Sequence, residues 1–111
     1  MLMLDDLDDA ALDALPFGVV CLGDGNRVLR MNRAESEASG IQRWRAMGRD
    51  FFRDVAPGPT NRALAEAVAA FNTSTSAHEQ LHHVFQRRRG ADATDIELHR
   101  EHDRVYLLIR R

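Results

Sequence analysis

Apolar positions in this chain recur with two periods, and the switches between them outline the fold. Leu4, Leu7, Leu12 and Leu15 repeat with aspartates between them over residues 3–15, which predicts one or two short amphipathic helical turns, stopped by Pro16. Phe17–Leu22 is a continuous apolar run and reads as a buried strand. Gly23-Asp24-Gly25-Asn26 makes a tight turn, and Arg27–Met31 returns as the second strand of a hairpin. Asn32 with Glu35 three residues later has the capping-box spacing, so a short helix starts there and runs to Gly40. Another short turn covers Gln42–Ala46 and ends at Gly48.

Pro57-Gly58-Pro59 forms a stiff elbow with one unrestricted position at its centre. Leu64, Ala67, Val68 and Phe71 then recur at helical spacing within Thr60–Phe71. After the polar loop Asn72–Ala77, strands are predicted at Glu79–Arg88, Asp95–His102 and Arg104–Arg110. In the last two, Ile96/Leu98 and Val105/Leu107/Ile109 alternate as half-buried strands do. The order predicts an α+β fold: a five-stranded antiparallel sheet with short helices on one face, an acidic helical segment at 1–16 and a single domain at 17–111.

Composition narrows the chemistry. With 44% hydrophobic and 29% charged residues in 111, the chain is one globular domain. The lone Cys21 excludes an internal disulfide, and four acids at Asp5, Asp6, Asp8 and Asp9 make the start neither a signal peptide nor a membrane span, so a soluble cytoplasmic protein is expected. All 15 basic residues are arginine, which rules out Schiff-base and lysine-nucleophile chemistry. Residues 1–26 carry only acids beside an overall charge of -2, so the start is suited to lie against an arginine-bearing surface or to repel nucleic acid.

Four stretches carry a resemblance: Leu12-Asp13-Ala14-Leu15-Pro16-Phe17-Gly18, Gly23-Asp24-Gly25-Asn26, Met31-Asn32-Arg33-Ala34-Glu35, and Asp50-Phe51-Phe52-Arg53-Asp54-Val55-Ala56-Pro57. Together they resemble the photoactive yellow protein branch of the PAS domains, closely through about residue 58 and more loosely beyond. That resemblance implies the PAS fold and a pocket between helices and sheet. In the family a cysteine after Val-Ala-Pro holds p-coumaric acid as a thioester; the matching residue here is Gly58. The family's two phenolate partners match Met31 and Glu35, its hydroxyl contact Ser39, and its pocket arginine Ile41. The resemblance implies further lining by Phe51, Val55, Ala56, Pro57 and Phe85. A p-coumaroyl thioester is therefore not expected, and no other cofactor is indicated.

Two readings stay open for several residues. Glu35 either caps its own helix or faces the pocket with a carboxyl pKa raised by burial. Phe85, Arg87 and Arg89 share one strand face, where an arginine either pairs with an anionic ligand group or ends the strand in solvent. The histidines lack metal-ligand spacing and the basic run lacks a nucleic-acid module, so neither metal nor nucleic acid is expected. The expected function is a PAS-type sensory or interaction module without catalysis. It takes a small apolar or anionic ligand, or a partner protein or second copy through the segment Leu2–Leu15. The alternative is a small enzyme with Glu35 as general acid or base.

Overall fold

The computed structural model describes residues 3–88 and 90–111. Five strands, β1 (Gly18–Leu22), β2 (Val28–Met31), β3 (His78–Arg87), β4 (Gly90–Glu101) and β5 (Arg104–Arg110), form one sheet in the order β2-β1-β5-β4-β3. Every pairing is antiparallel. Hence β1 and β5, neighbours at the centre, join the hairpin from the start of the chain to the meander from its end.

The unbroken apolar run of β1 follows from burial on both faces. Val20 and Leu22 enter a core with Phe51, Leu64, Phe71, Phe85, Leu98 and Leu107, beneath the helices α2 (Arg33–Ser39), α3 (Arg43–Ala46) and α4 (Arg62–Thr73). Val19 and Cys21 face the other way, against Tyr106 and Leu108. There the segment before the sheet, a 3-10 turn at Leu4–Asp6 and α1 (Asp9–Asp13), lays down Leu4, Leu7, Leu12 and Leu15 as a second core. Leu4, Leu7, Leu12 and Leu15 are thus occupied by the chain's own sheet, while Leu2 lies outside the described residues.

Polar side chains hold that segment in place. The buried Glu101 carboxylate accepts from Leu4 N at 2.8 Å and Asp5 N at 2.7 Å, and Arg30 donates to the Leu4 and Leu7 carbonyls at 3.0 and 2.6 Å. Asp5 in turn accepts from Tyr106 Oη and meets His102 at 3.0 Å.

The structure departs from the sequence pattern in two places. β4 begins at Gly90 and not near Asp95, because its ladder with β3 runs unbroken from His78↔His99 to Arg87↔Gly90. Residues 90–95 are small or polar and show no alternation, so only the pairing partner reveals them as strand. Phe51–Val55 is a π-helical turn whose first amides are capped by Asp50, and Gly58, at φ 119°, starts the turn Pro59–Asn61 that leads into α4. Among the described residues no helix is long and apolar enough to cross a membrane.

Candidate functional site

The site grows from the N-terminus of α2. Asn32 Oδ1 accepts from Glu35 N at 3.1 Å, the N-cap bond the sequence predicts. The reciprocal half of the capping box is absent, because Asn32 N donates to Val19 O at 3.0 Å. The Glu35 carboxylate is therefore free to turn toward the sheet, where only 2% of the residue remains exposed.

There it meets two arginines. Arg111 Nη1 donates to Glu35 Oε1 at 2.9 Å and Nη2 to Oε2 at 3.4 Å, while Arg87 Nη2 lies 3.7 Å from Oε2. Asp92 joins the same arginines, accepting from Arg87 Nε at 3.0 Å and from Arg111 Nη2 at 2.9 Å. Two carboxylates and two guanidiniums thus alternate across α2, β3, β4 and the end of β5. Burial pushes the Glu35 carboxyl above its ordinary value, although Arg111 and Arg87 pull it down. Asp92 also feels burial, but its hydrogen bonds to Arg111 and Arg87 win and hold it below the usual range.

The apolar residues expected at the pocket fall partly together. Met31, Phe51, Ala56 and Phe85 are all buried in the main core, with Val55 and Ile41 packed against them. Arg87 continues the Phe85 face of β3, its guanidinium 4.7 Å from the Phe85 ring centroid; Arg89 lies outside the described residues. Ser39 is half-buried and takes part in the turn after α2, accepting from Ile41 N at 3.2 Å, on the rim of a cleft of about 330 Å³ shared with Arg87 and Asp92. Pro57 and Gly58 are exposed. A Cβ placed on Gly58 would meet nothing within 4 Å, so its positive φ, and not crowding, asks for glycine.

What fixes the elbow is a pair the sequence reading did not single out. Asn61 Nδ2 donates to Ala56 O at 3.0 Å and to Pro57 O at 3.4 Å, while its Oδ1 lies 2.8 Å from His83 Nε2. Since that oxygen is an acceptor, His83 carries its proton on Nε2. His83 lies two residues before Phe85 on the same face of β3, so strand alternation was the available signal. The same rule places Arg111 on the inner face, two residues after Ile109.

Asn32 reaches beyond the pocket. Its Nδ2 donates to Leu12 O at 2.9 Å and to Phe17 O at 3.0 Å, so one fully buried amide holds the N-terminus of α2 and the segment on the far side of the sheet. Cys21, the single cysteine of the chain, lies on that far side, where burial raises its thiol to about 11.

A five-stranded antiparallel sheet in this order, with its helices over one face, is the fold of a PAS domain. The model of the PAS fold matches residues 12–109, and the chain belongs to that family. It is similar to the photoactive yellow protein of Rhodobacter capsulatus, 29% identical over 96 residues that span 86% of this chain and 77% of that one. The photoactive yellow protein of Rhodothalassium salexigens is 38% identical over 52 residues, 47% of this chain and 42% of the relative. Among solved structures, the photoactive yellow protein domain of the sensor histidine kinase Ppr from Rhodospirillum centenum superposes with a TM-score of 0.85 at 30% identity, covering 95% of this chain and 100% of that domain. The PAS domain of the Cronobacter turicensis quorum-sensing receptor RpfR, in complex with BDSF, gives 0.74 at 16% identity over 86% and 93%, a likeness of fold.

Proposed function

We infer that this PAS domain is a sensory or interaction module that takes a small non-covalent ligand or a partner protein and reports through its N-terminal segment. The observation that carries this reading is the double engagement of Asn32, whose amide bonds both Glu35 N beside the charged cluster and the Leu12 and Phe17 carbonyls across the sheet. A ligand entering under α2 competes with Glu35 for Arg111 and Arg87, which favours an apolar body with an anionic or polar group. Displacement of Glu35 moves the first turn of α2, and Asn32 passes that movement to the segment. The response is a population shift, set by the ligand's difference in affinity for the two arrangements.

Covalent p-coumaroyl chemistry is disfavoured. The elbow position matching the family's cysteine is Gly58, and the only thiol, Cys21, sits under the N-terminal segment on the other face of the sheet. Glu35 as a general acid or base is the weaker reading, since both of its oxygens are already held by Arg111.

Native mass spectrometry of the freshly purified protein, with an ultraviolet–visible spectrum of the same sample, tests the reading. A reproducible extra mass that is lost on denaturation supports ligand binding. A covalent adduct with visible absorption that survives denaturation overturns it. A bare chain moves the weight to the partner protein.

A further inference from the structure

Two glycines with left-handed dihedrals, Gly40 at φ 74° and Gly48 at φ 77°, bracket residues 41–47. A Cβ on either would meet nothing within 4 Å, so what each contributes is the backbone conformation alone. Between them lies the single helical turn α3, whose one buried residue is Ala46. Ile41 is half-buried against the core, and Trp44 and Met47 are exposed.

This strip is thinly attached. Among the described residues, the backbone hydrogen bonds of residues 42–47 close on the strip itself or on Arg49. At its two ends Ser36 Oγ donates to Ile41 O at 2.7 Å and Gly48 N donates to Val28 O at 2.8 Å. From its middle, Arg43 Nη1 donates to both oxygens of Asp13, at 2.9 and 3.1 Å. Asp13 is the last residue of α1, so that ion pair runs from the strip to the N-terminal segment.

Clefts lie on both of its flanks. Toward β2 and α1, one of about 220 Å³ is walled by Arg43 and Met47 and reaches Met31. Toward the π-helical turn, one of about 230 Å³ runs between Ile41 and Val55. Met31 and Val55 both belong to the expected pocket lining, so the strip stands between that lining and solvent. A short turn with one buried side chain, a glycine at each end and open space on both sides loses few contacts by swinging outward.

We propose that residues 41–47 are a gate over the ligand pocket, hinged at Gly40 and Gly48 and latched to α1 by the Arg43–Asp13 ion pair. Opening the gate breaks the latch, so entry of a ligand and loosening of the N-terminal segment are one event. This inference rests on the ligand reading above and adds how the pocket is reached. It gives the pocket a second link to the segment, on the outside of the fold, beside the buried one through Asn32.

Amide exchange read residue by residue by NMR, on the full chain without ligand, tests both parts. In the wild type, residues 41–48 exchange through a local opening, faster than β5. Alanine at a hinge strains the closed gate alone, so Gly40→Ala and Gly48→Ala each quicken residues 41–48 by roughly tenfold and leave β5 unchanged. Residues 9–15 quicken in step with the gate in Gly40→Ala, and no longer do so in Gly40→Ala/Arg43→Gln. Access to the pocket is read separately, in a Cys21→Ser/Met31→Cys chain. Its one thiol reacts with a disulfide reagent roughly tenfold faster once Gly40→Ala is added.

Protection of residues 41–48 equal to that of β5 overturns the gate, as does a thiol rate indifferent to Gly40→Ala. Residues 9–15 that respond alike with and without Arg43, or not at all, overturn the latch. A bare chain in native mass spectrometry counts against ligand binding and leaves these rates as they are, so the two failures are told apart.

Discussion

Gly18 and Glu35 are in contact across the interface of β1 and α2: a Cβ built on Gly18 would stand 2.2 Å from Glu35 Oε1. The glycine that opens a fully buried strand is there to make room for a buried carboxylate. Gly18→Ala must push α2 outward or turn Glu35 away from Arg111. Overpacking of this kind costs about 1–3 kcal/mol, read as a lowered urea midpoint at unchanged slope. Wild-type stability in Gly18→Ala would show that the carboxylate is not fixed there.

The Glu35 pair itself responds asymmetrically to substitution. Glu35→Gln leaves Arg111 paired with Asp92 and removes a charge that burial disfavours, so stability changes by less than ~1.5 kcal/mol. Arg111→Gln leaves the buried carboxylate with Arg87 alone at 3.7 Å and costs about 3 kcal/mol, the low end for a broken buried pair because Arg111 is partly exposed. Glu35 has a raised pKa in the folded state. Its contribution is therefore full below the ordinary value of 4.5 and lost as pH rises through the folded value, and Glu35→Gln removes that slope.

How much of this was legible in the residues differs from element to element. The strands with apolar alternation, the Asn32 cap and the Gly40 stop follow from local chemistry alone. The start of β4 does not, because Ala91, Asp92 and Ala93 owe their strand conformation to their partners on β3. The capping-box spacing drew attention to Glu35 but left two destinations for its carboxylate. Asn32 N decides between them by pairing with Val19 O, a contact between elements that no local pattern encodes. Asp92 was missed for the same reason, being an ordinary surface type until β3 and β4 pair, whereas Arg111 was within reach of strand alternation from Ile109.

His83 gives the protein a weak spot in mild acid. Burial, aided by the nearby His82 and Arg87, holds its imidazole below the ordinary value of 6.5. A base with a lowered folded-state pKa contributes stability that is full above 6.5 and lost as pH falls through the folded value. Unfolding free energy should therefore decline below 6.5 in the wild type and stay flatter in His83→Gln. Nitrogen-15 shifts of the imidazole at neutral pH should report the Nε2–H tautomer; the Nδ1–H form would contradict the bond to Asn61.

Cys21 is a built-in reporter of the N-terminal segment. With its thiol raised to about 11 and Leu12 packed in the same cluster, it reacts with a disulfide reagent only when the segment lifts. Leu12→Ala, a buried truncation costing about 2–5 kcal/mol, should speed that reaction by at least about tenfold while the sheet stays folded. Equal rates in the two proteins would mean that the thiol is reached by another route.

The most direct test of the link between pocket and segment is hydrogen exchange by mass spectrometry in Arg111→Gln. If Asn32 carries a disturbance of Glu35 across the sheet, exchange in residues 4–15 quickens along with that of α2, by ~10-fold for a local destabilisation of about 1.4 kcal/mol. Faster exchange confined to α2 and the end of β5, with residues 4–15 unchanged, would contradict it.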